Sequence, residues 1–330
     1  MKIAILDDYQ NAVRDLACFA KLASHQVTVY DDTVNDLGAL ASRIGDAEAL
    51  VLIRERTRID EDLLKRLPKL RLISQTGKVS RHIDLVACTR HGVAVAEGKG
   101  SPTAPAELTW GLVLAAMRHI PQEMARLKAG LWQSTIGVAL RGRTLGVFGY
   151  GKIGMLVAGY GRAFGMQVLA FGREGSSTRA HADGVKTAAS KEALFAEADV
   201  LSLHLRLNSE THGIVTRADL ARMKPTALLV NTSRAELIEG GALVAALRTR
   251  RPGFAAVDVY ESEPIGPGQH PLLKMDNVIC TPHLGYVEKD NYELYFGDAF
   301  DNILSFAAGT PANLANPEVL TNAGFNGENA

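Results

Sequence analysis

The chain has 330 residues, 47% of them hydrophobic, and its 36 Lys+Arg balance 36 Asp+Glu. That length suggests two domains, and the charge balance excludes a protein that grips nucleic acid through a bulk basic excess. Cys18, Cys88 and Cys280 are scattered, without a CxxC pair, so neither a disulfide framework nor a bound metal is expected, and a reducing cytoplasm fits. The opening MKIAILDDYQ has no signal-peptide character, and the longest apolar segment, Leu108–Met117, is cut by Thr109. A membrane helix needs roughly 20 apolar residues, so no membrane partner is expected.

Short apolar runs read as buried strands at Ile3–Leu6, Val27–Tyr30, Ala49–Ile53, Leu70–Ser74 and Val93–Ala96. Helical patterns at Asn11–Ala23 and Val34–Ile44 lie between them. Asp60 is placed to cap a short helix through Leu63, Leu64 and Leu67, which Pro68 ends. Residues 97–105, EGKGSPTAP, break this rhythm and suggest a crossing between domains. An apolar helix, Ala106–His119, follows.

A second alternating series then begins. Its strands are Thr144–Phe148, Gln167–Phe171, Val200–Leu203, Ala227–Val230, Ala255–Val259 and Val278–Cys280. Its helices include Ile153–Phe164, Lys191–Glu197, Arg217–Met223 and Gly240–Arg248. A last helix, Lys289–Ala308, is expected to return to the first domain. Such alternation predicts α/β architecture with two doubly wound parallel sheets, the second domain inserted into the first. The expected boundaries are 1–101 with 289–330 for one domain and 102–288 for the other. The tail after Thr310 is rich in Asn, Gly and Ala, and its end is expected to be loose.

The sharpest motif is Gly149-Tyr150-Gly151-Lys152-Ile153-Gly154, a GxGxxG between a strand and an apolar helix. The first Gly permits a tight turn, the second admits a pyrophosphate close to backbone, and the third lets helix and strand pack. The helix N-terminus supplies N–H groups and a positive dipole end. A nicotinamide dinucleotide is therefore the expected cofactor. An acid that grips the ribose hydroxyls should stand about 20 residues further on. Gly172 occupies the end of that strand and Arg173 follows. Losing the acid removes repulsion against a 2′-phosphate and Arg173 can pair with one, so the sequence leans to NADP over NAD. The alternative is that Arg173 is an ordinary loop residue and NAD binds without the carboxylate.

With these blocks in view, the chain resembles the D-isomer-specific 2-hydroxyacid dehydrogenases. The resemblance rests on RGRTLGVFGYGKIG (141–154), ADVLSLHLRLNSET (198–211), MKPTALLVNTSRAELIEGGALVAAL (223–247), AAVDVYESEP (255–264) and NVICTPHLG (277–285), in that order. It implies a Rossmann dinucleotide-binding domain inserted into a flavodoxin-like substrate-binding domain, and a homodimer. It also implies hydride transfer between the dinucleotide and a small D-2-hydroxy or 2-keto acid, with 3-phosphoglycerate, glyoxylate and hydroxypyruvate left open.

The catalytic positions carried over are Arg234, Glu263 and His283. An Arg fork can hold a carboxylate at two points, a His can exchange a proton with the carbonyl oxygen, and a Glu can orient that His. Singly, each has an ordinary alternative. His283 reads as a turn residue, Arg234 as a partner of Glu236, and Glu263 as a surface acid before Pro264. Thr232 and His204 match positions lining the cofactor, and Asp258 one near the nicotinamide amide. Arg206 stands near the expected adenine, where Pro is common, as a second partner for a 2′-phosphate. The substrate loop of the family matches Gln75-Thr76-Gly77-Lys78-Val79, whose N–H groups would meet the substrate carboxylate, and Arg54 matches a substrate-side arginine. Val79 replaces a second Gly of that loop. The competing expectation is an NAD(H)-sensing corepressor-like binding protein of the same fold.

Overall fold

A computed structural model describes residues 1–321 of the chain. Two compact units divide it: Met1–Ser101 with the chain from Glu288 onward, and Pro102–Val287. The first unit holds strands β1 (Lys2–Ile5), β2 (Gln26–Val29), β3 (Ala49–Leu52), β4 (Leu72–Gln75) and β5 (Ala94–Glu97). All pair in parallel, in the order β2-β1-β3-β4-β5. This is the flavodoxin-like order, whose switch point lies between β1 and β3. The β3 residues Ala49, Leu50, Val51 and Leu52 have no exposed surface, as expected of a central parallel strand covered on both faces. Asp60 caps its short helix by accepting from the Leu63 N–H at 3.2 Å.

The helix Lys289–Ala307 belongs to this unit and lies on β4, where the Ser74 hydroxyl donates to the Ala299 carbonyl at 2.8 Å. Residues just after Thr310 are also tied down, at Ala315 and Asn316. Ala315 N–H bonds the Val95 carbonyl at 2.7 Å, and the buried Asn316 side chain bonds Val95 N–H and the Val93 carbonyl. The expected loose end after Leu320 falls largely on 322–330, outside the described residues.

One expected helix is corrected. Asn11–Ala23 forms two 3-10 turns, Val13–Asp15 and Ala17–Leu22, separated at Leu16 in extended conformation (φ −73°, ψ 139°). The reason is competition for backbone donors. The Asp8 carboxylate takes the N–H groups of Ala12 and Val13, and Glu293 takes those of Ala17 and Cys18. Side-chain acceptors start each turn afresh, so the α-helical ladder never propagates.

The second unit holds β6 (Thr144–Phe148), β7 (Gln167–Phe171), β8 (Lys186–Thr187), β9 (Val200–Leu203), β10 (Leu228–Asn231), β11 (Phe254–Val257) and β12 (Val278–Cys280). Their order is β12-β11-β10-β9-β6-β7-β8, all parallel. Strand order reverses beside β6, so its C-terminal end is the switch point where ligands collect in doubly wound sheets. Apolar clusters cover both faces. One includes Phe148, Phe195 and Leu229, the other Val147, Val157 and Val230.

Candidate active site

The glycine loop sits at that switch point. Gly149 has φ +99°, and a Cβ there would lie 2.5 Å from the His204 carbonyl oxygen. A Cβ on Gly154 would lie 2.2 Å from the Gly149 carbonyl oxygen. Above Gly151 there is open space within 4 Å, and the helix Lys152–Ala163 starts there without a side-chain cap. An uncapped helix N-terminus facing open space fits a pyrophosphate. Lys152 and Ile153 supply the first backbone N–H groups of that helix. Tyr150 contributes backbone alone, because its side chain is buried and its hydroxyl donates to Asp183 at 3.0 Å.

Gly172 ends β7, and a Cβ there would approach the Ser176 Cβ at 2.9 Å. Ser176 fills the place an acidic side chain would need. Arg173 is exposed and pairs with Glu210 at 3.4 Å. A second arginine, Arg179, donates to the Tyr150 carbonyl at 3.1 Å and so lies against the glycine loop. It sits in the helix Glu174–Ala182, which the sequence reading missed. Arg206 is exposed, and its carbonyl accepts from Thr211 at 2.7 Å.

Arg234, Thr232 and His204 stand on neighbouring strand ends. Asn231, at the end of β10, accepts from Ser233 N–H and donates to the Arg234 carbonyl at 2.8 Å. The turn is thereby fixed on both sides of Ser233, whose carbonyl receives one Arg234 Nη1–H at 2.7 Å. The Thr232 hydroxyl meets that of Thr109 at 2.7 Å. Thr109 is also 2.7 Å from the Pro105 carbonyl. A carbonyl only accepts, so Thr109 donates to it and Thr232 donates to Thr109.

His204 Nε2 lies 2.8 Å from the Ser202 hydroxyl, and Nδ1 is buried with no partner among the described residues. Burial pushes this histidine down from 6.5 to about 4. A histidine held neutral in the fold contributes stability that is complete above its unfolded value and is lost as pH falls toward the folded one. The shift corresponds to about 3 kcal/mol. Thermal melting should therefore drop between pH 6.5 and 4, and His204→Gln should flatten that drop. An unchanged slope in the variant contradicts this assignment.

His283 and Glu263 come together. His283 Nδ1 lies 2.6 Å from Glu263 Oε2, and both side chains are 16% exposed. The other Glu263 oxygen accepts from the Tyr260 N–H at 2.9 Å. Nδ1 facing a carboxylate leaves Nε2 as the nitrogen that can exchange a proton. His283 has φ +52°, sparsely populated by residues with a side chain. Asp258 explains how this backbone is held. Its buried carboxylate accepts from the Thr281 hydroxyl at 2.6 Å, Leu284 N–H at 2.7 Å and Gly285 N–H at 2.8 Å. Asp258 thus braces the turn that carries His283, a role not read from the sequence. Burial pushes its carboxyl up, and these hydrogen bonds oppose the shift.

In the first unit, Arg54 has φ +53° and its N–H donates to Thr76 at 3.0 Å. Gly77 has φ +79°. Glu97 bonds the Lys78 ammonium and accepts from Val79 N–H at 3.1 Å. The Val79 N–H is therefore already engaged, and Lys78 is charge-compensated. Among the described residues, the N–H groups of Gly77 and Lys78 donate to no backbone carbonyl in the loop hydrogen bonds.

Among the described residues, no group of three or more His, Cys, Asp or Glu is arranged to hold a metal. Among the same residues, no helix is long and apolar enough to cross a membrane.

Residues 110–285 match the family model described as "D-isomer specific 2-hydroxyacid dehydrogenase, NAD binding domain". The chain belongs to the D-isomer specific 2-hydroxyacid dehydrogenase family, and its reaction class is oxidoreduction at a CH–OH carbon with a nicotinamide dinucleotide. The glyoxylate reductase of Aeropyrum pernix is 39% identical over 85% of this chain and 86% of its own length. The D-3-phosphoglycerate dehydrogenase of Methanocaldococcus jannaschii is 39% identical over 74% of this chain, which spans 47% of that protein. A phosphoglycerate oxidoreductase structure from Vibrio cholerae is 57% identical, covers 94% of this chain and 99% of its own, and superposes with a TM-score of 0.92. These likenesses favour the dehydrogenase over the corepressor-like alternative.

Proposed function

We propose that the protein reduces a short 2-keto acid to the D-2-hydroxy acid, with Arg234, Glu263 and His283 as its catalytic residues. The observation that carries this reading is the 2.6 Å contact between His283 and Glu263, on a turn braced by Asp258. The bound dinucleotide supplies the hydride. His283 Nε2 gives a proton to the carbonyl oxygen, and Glu263 stabilises the protonated ring and fixes its orientation. The Arg234 guanidinium holds the substrate carboxylate. In the first unit, Arg54 and the N–H groups of Gly77 and Lys78 are the groups assigned to substrate binding. Gly149, Gly151, Lys152, Ile153 and Gly154 cradle the pyrophosphate, while Thr232, His204 and Asp258 line or support the nicotinamide side.

The cofactor is proposed to be NADPH. Ser176 beside Gly172 leaves no room for a ribose-gripping acid, and Arg173, with Arg206, is available to a 2′-phosphate. A hydrogen bond to a charged group is worth roughly 1.5–3 kcal/mol. Solvent and Glu210 reduce that, so about tenfold preference over NADH is expected. The test is a matrix of NADPH and NADH against glyoxylate, hydroxypyruvate, phosphohydroxypyruvate and pyruvate. Turnover of at least one acid, better with NADPH, is the expected result. Silence with every pair overturns the function, and a clear NADH preference overturns the cofactor choice alone.

The working form is proposed to be a homodimer in the cytoplasm. Ile120, Met124 and Leu127 form an exposed stripe on the helix Ile120–Lys128, and Trp132 and Ile136 beyond it are 73% and 93% exposed. Exposed large apolar side chains of this kind suit a self-complementary interface. Trp132→Glu should convert a dimeric species in light scattering to a monomer; a monomeric wild type refutes the pairing. The buried thiols of Cys18 and Cys88, each pushed up to about 12 by burial, are unpaired and suit a reducing compartment.

A further inference from the structure

Tyr295, on the helix Lys289–Ala307, is wedged among three parts of the first unit. Its ring edge lies 3.3 Å from where a Cβ on Gly77 would be, and 2.6 Å from where one on Gly100 would be. The Arg54 guanidinium lies over the ring, 5.5 Å from its centroid. Arg54 Nη1 in turn lies 2.6 Å from the Cβ position of Gly77. Gly77 is therefore glycine for two reasons, its positive φ and the guanidinium occupying the space beside its Cα.

The backbone around this cluster is pinned from several sides. The Arg54 carbonyl accepts from the Gln75 side chain at 2.8 Å. On either side of Gly100, Lys99 N–H bonds Asp298 at 2.9 Å, and Ser101 N–H bonds Asn291 at 3.1 Å. Asp298 and Asn291 lie on the same helix as Tyr295. One helix thus fixes the 99–101 segment and places an aromatic face under Arg54. The aromatic face attracts the cation, and the ring that offers it is itself buried (7% exposed) and so fixed in place.

We propose that Tyr295 is a positioning residue that holds the Arg54 guanidinium against the Gly77 turn, and so sets the affinity for the carboxylate of the 2-keto acid. This rests on the reading of Arg54 and the Gly77–Lys78 N–H groups as substrate-binding. The chemical logic is pre-organisation. An arginine already fixed beside two N–H groups loses little rotamer freedom when the anion arrives.

The experiment compares Tyr295→Phe, Tyr295→Leu, Arg54→Met and the Tyr295→Leu/Arg54→Met double variant. KM and kcat are measured for glyoxylate and phosphohydroxypyruvate, and dinucleotide Kd by calorimetry. Tyr295→Leu should raise KM about five- to tenfold, the size of a partly desolvated cation–π contact. Its kcat and dinucleotide Kd should stay within about twofold, and Phe, which keeps the ring face, should restore KM. The double variant should be no worse than Arg54→Met. Should Tyr295→Leu fail to fold, Gly100→Ala displaces the ring from outside and should raise KM in the same way. Wild-type KM in Tyr295→Leu beside a raised KM in Arg54→Met overturns the positioning role, as does additivity in the double variant. Unchanged KM in Arg54→Met overturns the substrate reading beneath it.

Discussion

His283→Ala should lower kcat for keto-acid reduction by about 100-fold or more, the usual cost of losing a positioned general acid. The geometry makes the expectation specific. His283 Nδ1 is committed to Glu263 at 2.6 Å, so proton transfer falls to Nε2 alone. Alanine removes that nitrogen and leaves the Glu263 carboxylate bonded to the Tyr260 N–H. The turn itself stays braced, because Asp258 holds Thr281, Leu284 and Gly285 rather than the imidazole. Dinucleotide Kd and the circular dichroism spectrum should therefore change little. A kcat near the wild-type value in a folded variant removes His283 from the proton path.

Arg234→Lys should lower kcat/KM for the keto acid by about 100-fold, although the charge is kept. A lysine ammonium is a point charge and cannot present the planar fork that grips a carboxylate twice. Two charge-assisted hydrogen bonds, each worth roughly 1.5–3 kcal/mol, become one with poorer aim. The Arg234 backbone is held by Asn231, independently of its side chain, so the turn should survive. The measurement is kcat/KM together with dinucleotide Kd. A collapse of dinucleotide binding at unchanged keto-acid kcat/KM would move Arg234 from substrate to cofactor.

Much of this chemistry was legible in the sequence because it is written locally. Gly149 and Gly154 are needed by the backbone itself, as the Cβ collisions there show, and Gly151 leaves open space for a ligand. The buried parallel strands were readable because Ala49–Leu52 is apolar throughout and Val200–Leu203 is apolar except at Ser202. The elements that were missed carry no such pattern. Helix Glu174–Ala182 buries only Ala180 and has no core-facing period to read, whereas the short Ile120–Lys128 helix does carry an apolar period at Ile120, Met124 and Leu127 that was passed over. The failed helix at Asn11–Ala23 depended on Glu293, far away in sequence.

Partnerships across long sequence separations were equally silent. Nothing near Asp258 announces that it braces Leu284 and Gly285. Nothing near Val79 announces that Glu97 has taken its N–H. Tyr295 reads as one more apolar residue of a terminal helix until Gly77, Gly100 and Arg54 converge on it.

The proposed mechanism moves a hydride directly to C2 of a 2-keto acid with one stereochemical outcome. Its most direct test supplies reduced dinucleotide deuterated at nicotinamide C4 on both faces, in ordinary water, with the keto acid of highest kcat/KM that yields a chiral product. Expected are one deuterium at C2 of the product, only the D-2-hydroxy acid, and label transfer slowed about 100-fold in His283→Ala. Deuterium lost to solvent, a racemic product or the L-acid would contradict it.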